Sequence, residues 1–147
     1  MSFKLGILVI LFTLILSSVT HAKGTHEEGQ LKASGSLNLH SATQLHAKTI
    51  PLRIDEETYG DISLYHSKAH NMDSVRGAFS FHNDSHKLAK YKYRVILKDR
   101  KGIVAQTRGT LHIAPGHTQK IKISNIVLRE RDIKSISEYE ILMTHTH

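Results

Sequence analysis

The stretch KYKYRVILK, residues 90–98, decides the fold because its apolar and basic side chains alternate with a period of two. A helix would spread the cations around its circumference, whereas a strand collects them on one face. The stretch therefore predicts an amphipathic β-strand whose apolar face covers a core. The predicted apolar face is Tyr91, Tyr93, Val95 and Leu97, and the predicted basic face is Lys90, Lys92, Arg94 and Lys98.

Turn signals bound this strand and separate further ones. Asp-Arg-Lys-Gly at residues 99–102 predicts a hairpin with Gly102 free to adopt positive φ, and Pro-Gly at residues 115–116 predicts a turn after a return strand. About seven short strands at this spacing predict an all-β, antiparallel, immunoglobulin-like β-sandwich, with a closed barrel as the alternative. The strands are expected over residues 49–54, 75–81, 90–98, 103–113, 121–123 and 138–143, with a short helical turn or a bent connection within 127–136.

The N-terminus has the pattern of a cleavable secretory signal. Lys4 precedes the apolar run LGILVILFTLIL, and the small residues Thr20 and Ala22 precede the expected cleavage site. We therefore expect a signal peptide at residues 1–22, a periplasmic or secreted mature protein and no transmembrane segment after cleavage, with an uncleaved anchor as the alternative. Residues 23–36 are polar and rich in Gly and Ser, which predicts a flexible lead-in before a single β-sandwich domain at 37–147.

Three turn motifs follow one another in the second half of the chain. A strand ends in Asn-Asp-Ser at residues 83–85, a long strand ends in the hairpin at 99–102, and a return strand closes at 115–116. In this order, residues 75–143 resemble the small immunoglobulin-like modules of bacterial envelope proteins of the FxLyD type. Residues 95–99, Val-Ile-Leu-Lys-Asp, lack the aromatic residues of the motif that names the family. The resemblance implies a scaffold or interaction module without catalytic residues.

The charge balance favours an anionic partner. The chain has 20 Lys and Arg against 13 Asp and Glu, for a formal net charge of +7. Such a chain is suited to anionic surfaces or to another envelope protein, and the absence of tryptophan leaves no specific nucleic-acid signal. Alternatively, the lysines protect strand edges against aggregation. The candidate binding surface is Lys90, Lys92, Arg94 and Lys98, extended by Lys120 and Lys122.

Histidine is the residue type in excess, with twelve in the chain. Neutral imidazole binds zinc and copper, and two histidine pairs share the i, i+4 spacing. If the strands that they flank are adjacent, the pairs would form one Zn or Cu site. The alternative is that they are exposed turn histidines, and no other cofactor is expected. The candidate ligands are His66, His70, His82 and His86, with Asp73 and Asp84 as neighbouring carboxylates.

No enzyme motif is present. The chain has no G-x-S-x-G, H-E-x-x-H or phosphate-binding glycine loop, and the absence of cysteine excludes thiol chemistry and disulfides. We therefore expect an exported, non-enzymatic β-sandwich protein that serves binding or assembly in the bacterial cell envelope or outside it. The alternatives are a periplasmic metal-binding protein that uses the histidine pairs and a small hydrolase with an unrecognised site.

Overall fold

The computed structural model describes residues 25–27 and 30–147, so the expected signal peptide at 1–22 lies outside the described residues. Within them the chain forms strands and one short helix. The elements are β1 (Thr25–Glu27), β2 (Gln30–Ser36), β3 (Lys48–Arg53), β4 (Thr58–Ala69), β5 (Met72–Asn83), β6 (Ala89–Asp99), β7 (Gly102–Ile113), β8 (Thr118–Lys122), β9 (Ile126–Val127), α1 (Glu130–Ser135) and β10 (Glu138–His145).

The strands form two antiparallel sheets that pack face to face. Sheet A has the order β1-β2-β10-β6-β7, and sheet B has the order β3-β4-β5-β8, with β9 also paired to β5. Every strand pair of the described residues is antiparallel, as in β4 with β5 and β6 with β7. The predicted all-β, antiparallel sandwich is therefore confirmed.

One apolar core fills the space between the sheets. From sheet A, β6 buries its predicted apolar face, and from sheet B, Phe79 and Phe81 are fully buried. The rings of Phe79 and Tyr93 lie 4.8 Å apart between centroids and join the two sheets. Because a buried side chain of this size contributes about 1.5–3 kcal/mol, this core supplies most of the stabilisation.

The β6–β7 hairpin forms where the sequence predicts it. Asp99 Oδ1 accepts the backbone N–H groups of Lys101 (2.7 Å) and Gly102 (3.0 Å), and Gly102 has a φ of 142°. A positive φ of this size suits glycine because it has no Cβ. The hairpin then fixes the register of the two longest strands of sheet A.

A β-bulge at the start of β7 determines which face Arg108 occupies. Lys98 pairs with Ile103, but Leu97 pairs with Ala105, so Val104 is the extra residue. An extra residue shifts the alternation of the strand by one position. Arg108 consequently lies opposite Arg94 on the outer face, whereas a regular hairpin would turn it toward the core.

The flexible lead-in predicted at residues 23–36 is wrong over residues 30–36, which form β2 and pair with β10. Leu31 and Ala33 are buried there. Gly35 lies beneath Tyr139, whose hydroxyl oxygen would be 2.9 Å from a Cβ at that position. The sequence resembles a linker because the inward positions after Leu31 are small residues, and large rings from neighbouring strands fill the space above them.

A second glycine supports a second tyrosine in sheet A. The hydroxyl oxygen of Tyr93 would lie 2.5 Å from a Cβ added at Gly109 on β7. Tyr93 and Tyr139 are each 6% exposed, so both rings are packed into the sheet over a neighbouring strand. In both places the absence of a side chain on one strand makes room for the aromatic ring of the next strand.

The connection predicted at residues 127–136 contains a short helix. The helix α1 covers six residues and buries Ile133, which anchors it to the core. Arg129 precedes the helix with extended backbone angles, and Ile136 ends it in the same way. In the part of the chain that the structure describes, no helix is long and apolar enough to span a membrane.

Candidate anion-binding surface

The outer face of sheet A carries a row of cations across its middle. The strand register places Lys32 on β2, Leu142 on β10, Arg94 on β6 and Arg108 on β7 side by side. Neighbouring strands are about 4.8 Å apart, so Lys32 and Arg94 are about 10 Å apart at the backbone. Lys92 precedes Arg94 by two positions on the same strand and lies on the same face. We call Lys32, Lys92, Arg94 and Arg108 the cation row; all four are exposed.

Two members of the cation row face each other directly. Arg94 and Arg108 are cross-strand partners in the β6–β7 register. Like charges directly opposite each other in an antiparallel pair are destabilising. Among the described residues neither guanidinium group has a carboxylate within ion-pair distance. Arg94 and Arg108 therefore place two positive charges side by side, and no ion pair of the described residues neutralises them.

Lys98 belongs to the predicted surface but is occupied by an intramolecular partner. Its Nζ lies 2.8 Å from Glu140 Oε2 on the neighbouring strand β10. The hydrogen bond from Lys98 lowers the pKa of Glu140, and the charges of Lys98, Lys32 and Arg94 lower it further. Glu140 therefore marks one end of the cationic area, and Lys98 contributes less to its charge than the cation row does.

Lys120 and Lys122 do not extend this surface. They lie on β8, where they pair with Ser80 and Ala78 of β5 in sheet B. Because sheet B packs its opposite face on the core, its outer face points away from sheet A. The sequence predicted one surface of six cations, and the structure divides it between the two sides of the sandwich. Lys90, Lys92, Arg94 and Lys98 do share one strand face, as predicted.

Two shallow grooves flank the paired arginines. A groove of about 430 Å³ lies toward β10, and a smaller one of about 280 Å³ lies along β7 beside Gln106. Arg94 and Arg108 line both grooves. The larger groove also has an apolar floor at Leu142, beside Thr110 and Thr144. The arrangement can accept a carboxylate, sulfate or phosphate group against two guanidinium groups.

The four candidate metal-binding histidines are not brought together. His66 on β4 pairs with Val75 on β5, and His82 lies seven residues further along β5. The two histidines are therefore about 23 Å apart along the sheet. His70 lies at the tip of the β4–β5 hairpin with a φ of 51°, and His86 is exposed in the loop after β5. Within residues 25–27 and 30–147 no group of three or more His, Asp or Glu residues can hold a metal ion.

His66 and His82 each contact a carboxylate, and the two contacts lie at opposite ends of sheet B. His66 Nε2 lies 2.7 Å from Asp73 Oδ1, and both side chains are largely buried. At the other end, the ring nitrogens of His82 contact Asp84 (2.7 Å) and Thr118 (2.8 Å). These contacts satisfy the histidines within the fold, so the Zn or Cu site predicted from the four residues is not assembled.

The contacts of His82 also bear on the hydrolase alternative. The Asp84 carboxylate, the His82 imidazole and the Thr118 hydroxyl are in contact in the order that activates a nucleophile in a catalytic triad. Tyr59 donates a further hydrogen bond to Asp84 (3.2 Å). A nucleophile needs a neighbouring space for the substrate and donors for the developing charge. The three cavities of about 1120, 430 and 280 Å³ are lined by other residues. The hydrolase alternative therefore stays a prediction from the sequence, and the contacts of His82 form a hydrogen-bond network on the outer face of sheet B.

A further cavity lies at the hairpin end of the sandwich. It has a volume of about 1120 Å³ and lies between β2, β3, the β6–β7 turn and the end of α1. Its acidic lining residue, Asp99, already accepts two backbone hydrogen bonds in the turn. His40 and Tyr139 line the same cavity, and the remaining lining combines serines and cations with apolar residues such as Leu37 and Ile50. With Lys48, Arg100, Lys101 and Lys134 against the single acidic residue Asp99, the described lining is basic.

One tyrosine of sheet A has a strongly shifted pKa. The Tyr91 hydroxyl donates to Asp55 Oδ2 (3.0 Å) and lies 3.4 Å from Thr58 Oγ1. Burial, together with the nearby carboxylate of Asp55, raises the pKa of Tyr91 to about 12. Asp55 also accepts the backbone N–H groups of Glu57 and Thr58, so it organises the β3–β4 turn. This tyrosine is a structural link between the sheets and not a candidate base at neutral pH.

Sequence analysis missed two members of the cation row. Lys32 lies in the stretch that was predicted to be a flexible lead-in. Arg108 lies in a correctly predicted strand, but its face depends on the bulge at Val104. Leu31 alternating with Ala33 and Gly35 is the one signal that could have identified β2. Nothing in the hairpin sequence marks the bulge.

Comparisons with known proteins add little to this description. No protein-family model matches the chain, and no curated protein matches it. Among solved structures, the chain is similar to the Avr2 effector protein from the fungal plant pathogen Fusarium oxysporum, with 11% sequence identity and a TM-score of 0.34. The match covers 83% of this chain and 92% of that one. A similarity at this level carries no argument about function.

Proposed function

We propose that this chain is an exported, non-enzymatic β-sandwich protein that binds an anionic partner through the outer face of sheet A. The observation that carries the proposal is the direct opposition of Arg94 and Arg108. Opposed like charges cost stability in an isolated sheet, and residues that oppose the stability of a fold are concentrated at functional sites. An anion bound between them would remove the repulsion and gain charge-assisted hydrogen bonds.

The surroundings of the two arginines fit this function. Lys32 and Lys92 lie beside them on the same face, and the grooves on both sides give an anionic group access to the guanidinium nitrogens. The members of the cation row lie on three strands, β2, β6 and β7, so their charges are more than one strand spacing apart. This arrangement suits a partner with repeated charges rather than a single small ion. Leu142 provides an apolar contact in the middle of the row.

The proposal includes two predictions from the sequence. The signal at residues 1–22 would deliver the protein to the periplasm or the exterior, where it would meet envelope polymers and envelope proteins. The resemblance to immunoglobulin-like modules of the FxLyD type would make the sandwich a scaffold for such contacts. N-terminal sequencing of the protein recovered from the envelope and the medium tests the first prediction, and an N-terminus at Lys23 is expected.

Binding to a polyanion without a peptide backbone tests the proposed function. Fluorescent dextran sulfate is titrated with the purified protein at about 0.15 M salt, where charges more than about 8 Å apart are largely screened. Arg94→Gln combined with Arg108→Gln should weaken binding about tenfold, because each lost surface contact costs about 0.5–1 kcal/mol. The matched control is Lys120→Gln with Lys122→Gln, which removes the same charge from sheet B.

The control decides between a specific surface and general basicity. If the surface is specific, the sheet B variant should bind with less than about a threefold change, well under one tenfold step. Equal loss in both double variants would show that net charge alone attracts the polyanion and would overturn the proposal. Absence of saturable binding by the unaltered protein would also overturn it.

A further inference from the structure

The edge of sheet A beside the cation row is an open strand. β7 covers residues 102–113 and pairs with β6 on one side, and no strand of the described residues pairs with its other side. The opposite edge of the same sheet ends in β1, which has three residues. An unpaired strand edge presents backbone N–H and C=O groups to any extended chain that approaches it.

β7 has few of the features that usually protect an edge. It contains no proline, no lysine and no acidic residue, and its inward positions Ala105, Thr107 and Gly109 carry no charge. The bulge at Val104 protects the end near the hairpin, but the strand is regular from Ala105 onward. Charged or proline residues normally prevent pairing at such edges. The open part of β7 is therefore suited to pairing.

The charge of this edge is confined to its outer face and is positive. Arg108 lies near the middle of β7 and Arg94 lies directly behind it on β6. The groove of about 280 Å³ beside Gln106 and Thr107 opens at the same point. A side chain from a strand added next to β7 would enter this groove and meet both guanidinium groups. A carboxylate at that position would form charge-assisted hydrogen bonds with them.

We propose that β7 accepts an acidic, extended segment of a partner protein as an additional antiparallel strand of sheet A. This inference rests on the proposed function and narrows its partner to a polypeptide. Backbone hydrogen bonds to β7 provide affinity, and Asp or Glu side chains at alternate positions face Arg108 and Arg94 and provide specificity. The orientation is antiparallel because every neighbouring pair in the sheet is antiparallel.

A second copy of this chain fits the edge poorly. When β7 pairs with β7 of a second copy, each residue must face the same side of the sheet as its partner. Two registers meet this condition with the longest overlap, and both bring Arg108 of one copy close to Arg108 of the other. One pairs Arg108 with Arg108 of the second copy, and the other places the two arginines diagonally, two residues apart. Like charges at these positions are destabilising. Charge complementarity therefore selects an acidic partner over self-association.

The test uses peptides of about ten residues that alternate Glu and Thr, a length that matches the open part of β7. Alternate N–H groups of a strand point to the same edge. Two further peptides carry N-methyl groups on the backbone nitrogens of either the Glu or the Thr residues. Binding of all three is measured by fluorescence polarisation, together with amide hydrogen exchange of β7 in the unaltered protein.

We expect the parent peptide and one methylated peptide to bind alike, and the other methylated peptide to bind at least about tenfold more weakly, because its donors to β7 are blocked. The parent peptide should also slow exchange at alternate amides of residues 105–110. Arg94→Gln with Arg108→Gln should weaken the parent peptide by a similar factor. Analytical ultracentrifugation of the free protein should show a monomer.

Other outcomes separate this inference from the proposed function. If all three peptides bind alike while dextran sulfate still depends on the arginines, the proposed function stands and strand addition is wrong. The same conclusion follows if β7 mediates a dimer of the free protein. If dextran sulfate binding does not depend on the arginines but peptide binding depends on methyl position, strand addition survives and the general anion surface is wrong.

Discussion

Two groups of polar side chains, one on the outer face of each sheet, differ in whether the fold supplies their partners. On sheet B, His82 contacts Asp84 and Thr118, and Tyr59 donates to Asp84. On sheet A, Arg94 and Arg108 oppose each other without a carboxylate partner among the described residues. Both faces cover the same core, so the difference does not come from burial.

This difference separates groups that serve the fold from groups that are available to a ligand. A side chain whose hydrogen bonds are met within the protein contributes to stability and has little left to offer a partner. A cation that lies opposite another cation is repelled by it and is attracted to an anion that approaches. Arg76 on sheet B is an exception among the described residues, because its buried Nε has no hydrogen-bond partner. The contrast between the two groups is the argument for the binding face proposed on sheet A.

The comparison requires both sheets to belong to one cooperative unit, and Phe79→Ala tests this most strongly. Phe79 is fully buried and contacts Tyr93 of the other sheet. We expect the free energy of unfolding to fall by about 3–5 kcal/mol in urea titrations. Met72→Ala on the same strand, where the side chain is 57% exposed, should change it by less than about 0.5 kcal/mol. Hydrogen exchange that accelerates in sheet B alone would show that the faces belong to separate units.

The alkaline pH dependence of stability tests the link between the sheets at Tyr91. Its pKa is raised from 10 to about 12 in the folded state, so folding favours the neutral hydroxyl. The corresponding stabilisation of about 2–3 kcal/mol is present below pH 10 and is lost as the pH rises through about 12. Tyr91→Phe should remove most of this loss in urea titrations at pH 9 and above.

Tyr59→Phe on the outer face of sheet B serves as the control for Tyr91. A hydrogen bond to Asp84 raises the pKa of Tyr59, but its hydroxyl is exposed to solvent. The alkaline loss of stability should therefore change much less in this variant. If both variants remove the same amount, burial of Tyr91 between the sheets is not the cause.

Removing Asp84 tests the claim that the polar groups of sheet B serve the fold. Asp84→Ala leaves His82 and Tyr59 without their carboxylate partner, which should lower the free energy of unfolding by about 1 kcal/mol. Arg94→Gln on sheet A should change it by less than about 0.5 kcal/mol, because repulsion from Arg108 opposes the attraction of Arg94 to Glu140. Thermal unfolding of both variants at neutral pH provides the measurement. A larger loss for Arg94→Gln than for Asp84→Ala would reverse the comparison.

The smallest expected effect has the opposite sign. Arg108→Thr relieves the repulsion with Arg94 and places a β-branched residue in a strand, so stability should rise by about 0.5 kcal/mol. For a chain of this size the midpoint of thermal unfolding should increase by about 1–2 °C. Lys122→Thr on sheet B is the matched substitution and should have a smaller effect. A lower midpoint for Arg108→Thr would mean that the two guanidinium groups stabilise each other by packing.

The regular parts of the fold could be predicted from the sequence. The alternation at residues 90–98 identifies β6, and Asp99 with Gly102 identifies the hairpin, because both signals are local. The short helix α1 lies within the predicted connection. β2 was missed because its inward positions are small and gain their burial from Tyr139, which is distant in the sequence. Local patterns cannot show such a contact.

The candidate site was only partly predictable for the same reason. A single strand shows which of its own residues share a face, and this was sufficient for Lys90, Lys92 and Arg94. Whether Lys120 and Lys122 join them depends on which sheet β8 enters, and the sequence does not contain that information in a local form. The addition of Arg108 depends on one extra residue at Val104. The histidine pairs failed as a metal site because they lie at opposite ends of one long hairpin.

The two tyrosines that lie over glycines have a consequence for how this chain can change. Gly109 and Tyr93 occupy one shared volume on neighbouring strands, and so do Gly35 and Tyr139. A methyl group at either glycine collides with a ring, but the same methyl group opposite a smaller residue would fill a space. A side chain added at either glycine should therefore destabilise the fold, unless the tyrosine above it is also replaced by a smaller residue. Each double-mutant cycle should show a favourable coupling energy. The glycine and its tyrosine are therefore expected to change together.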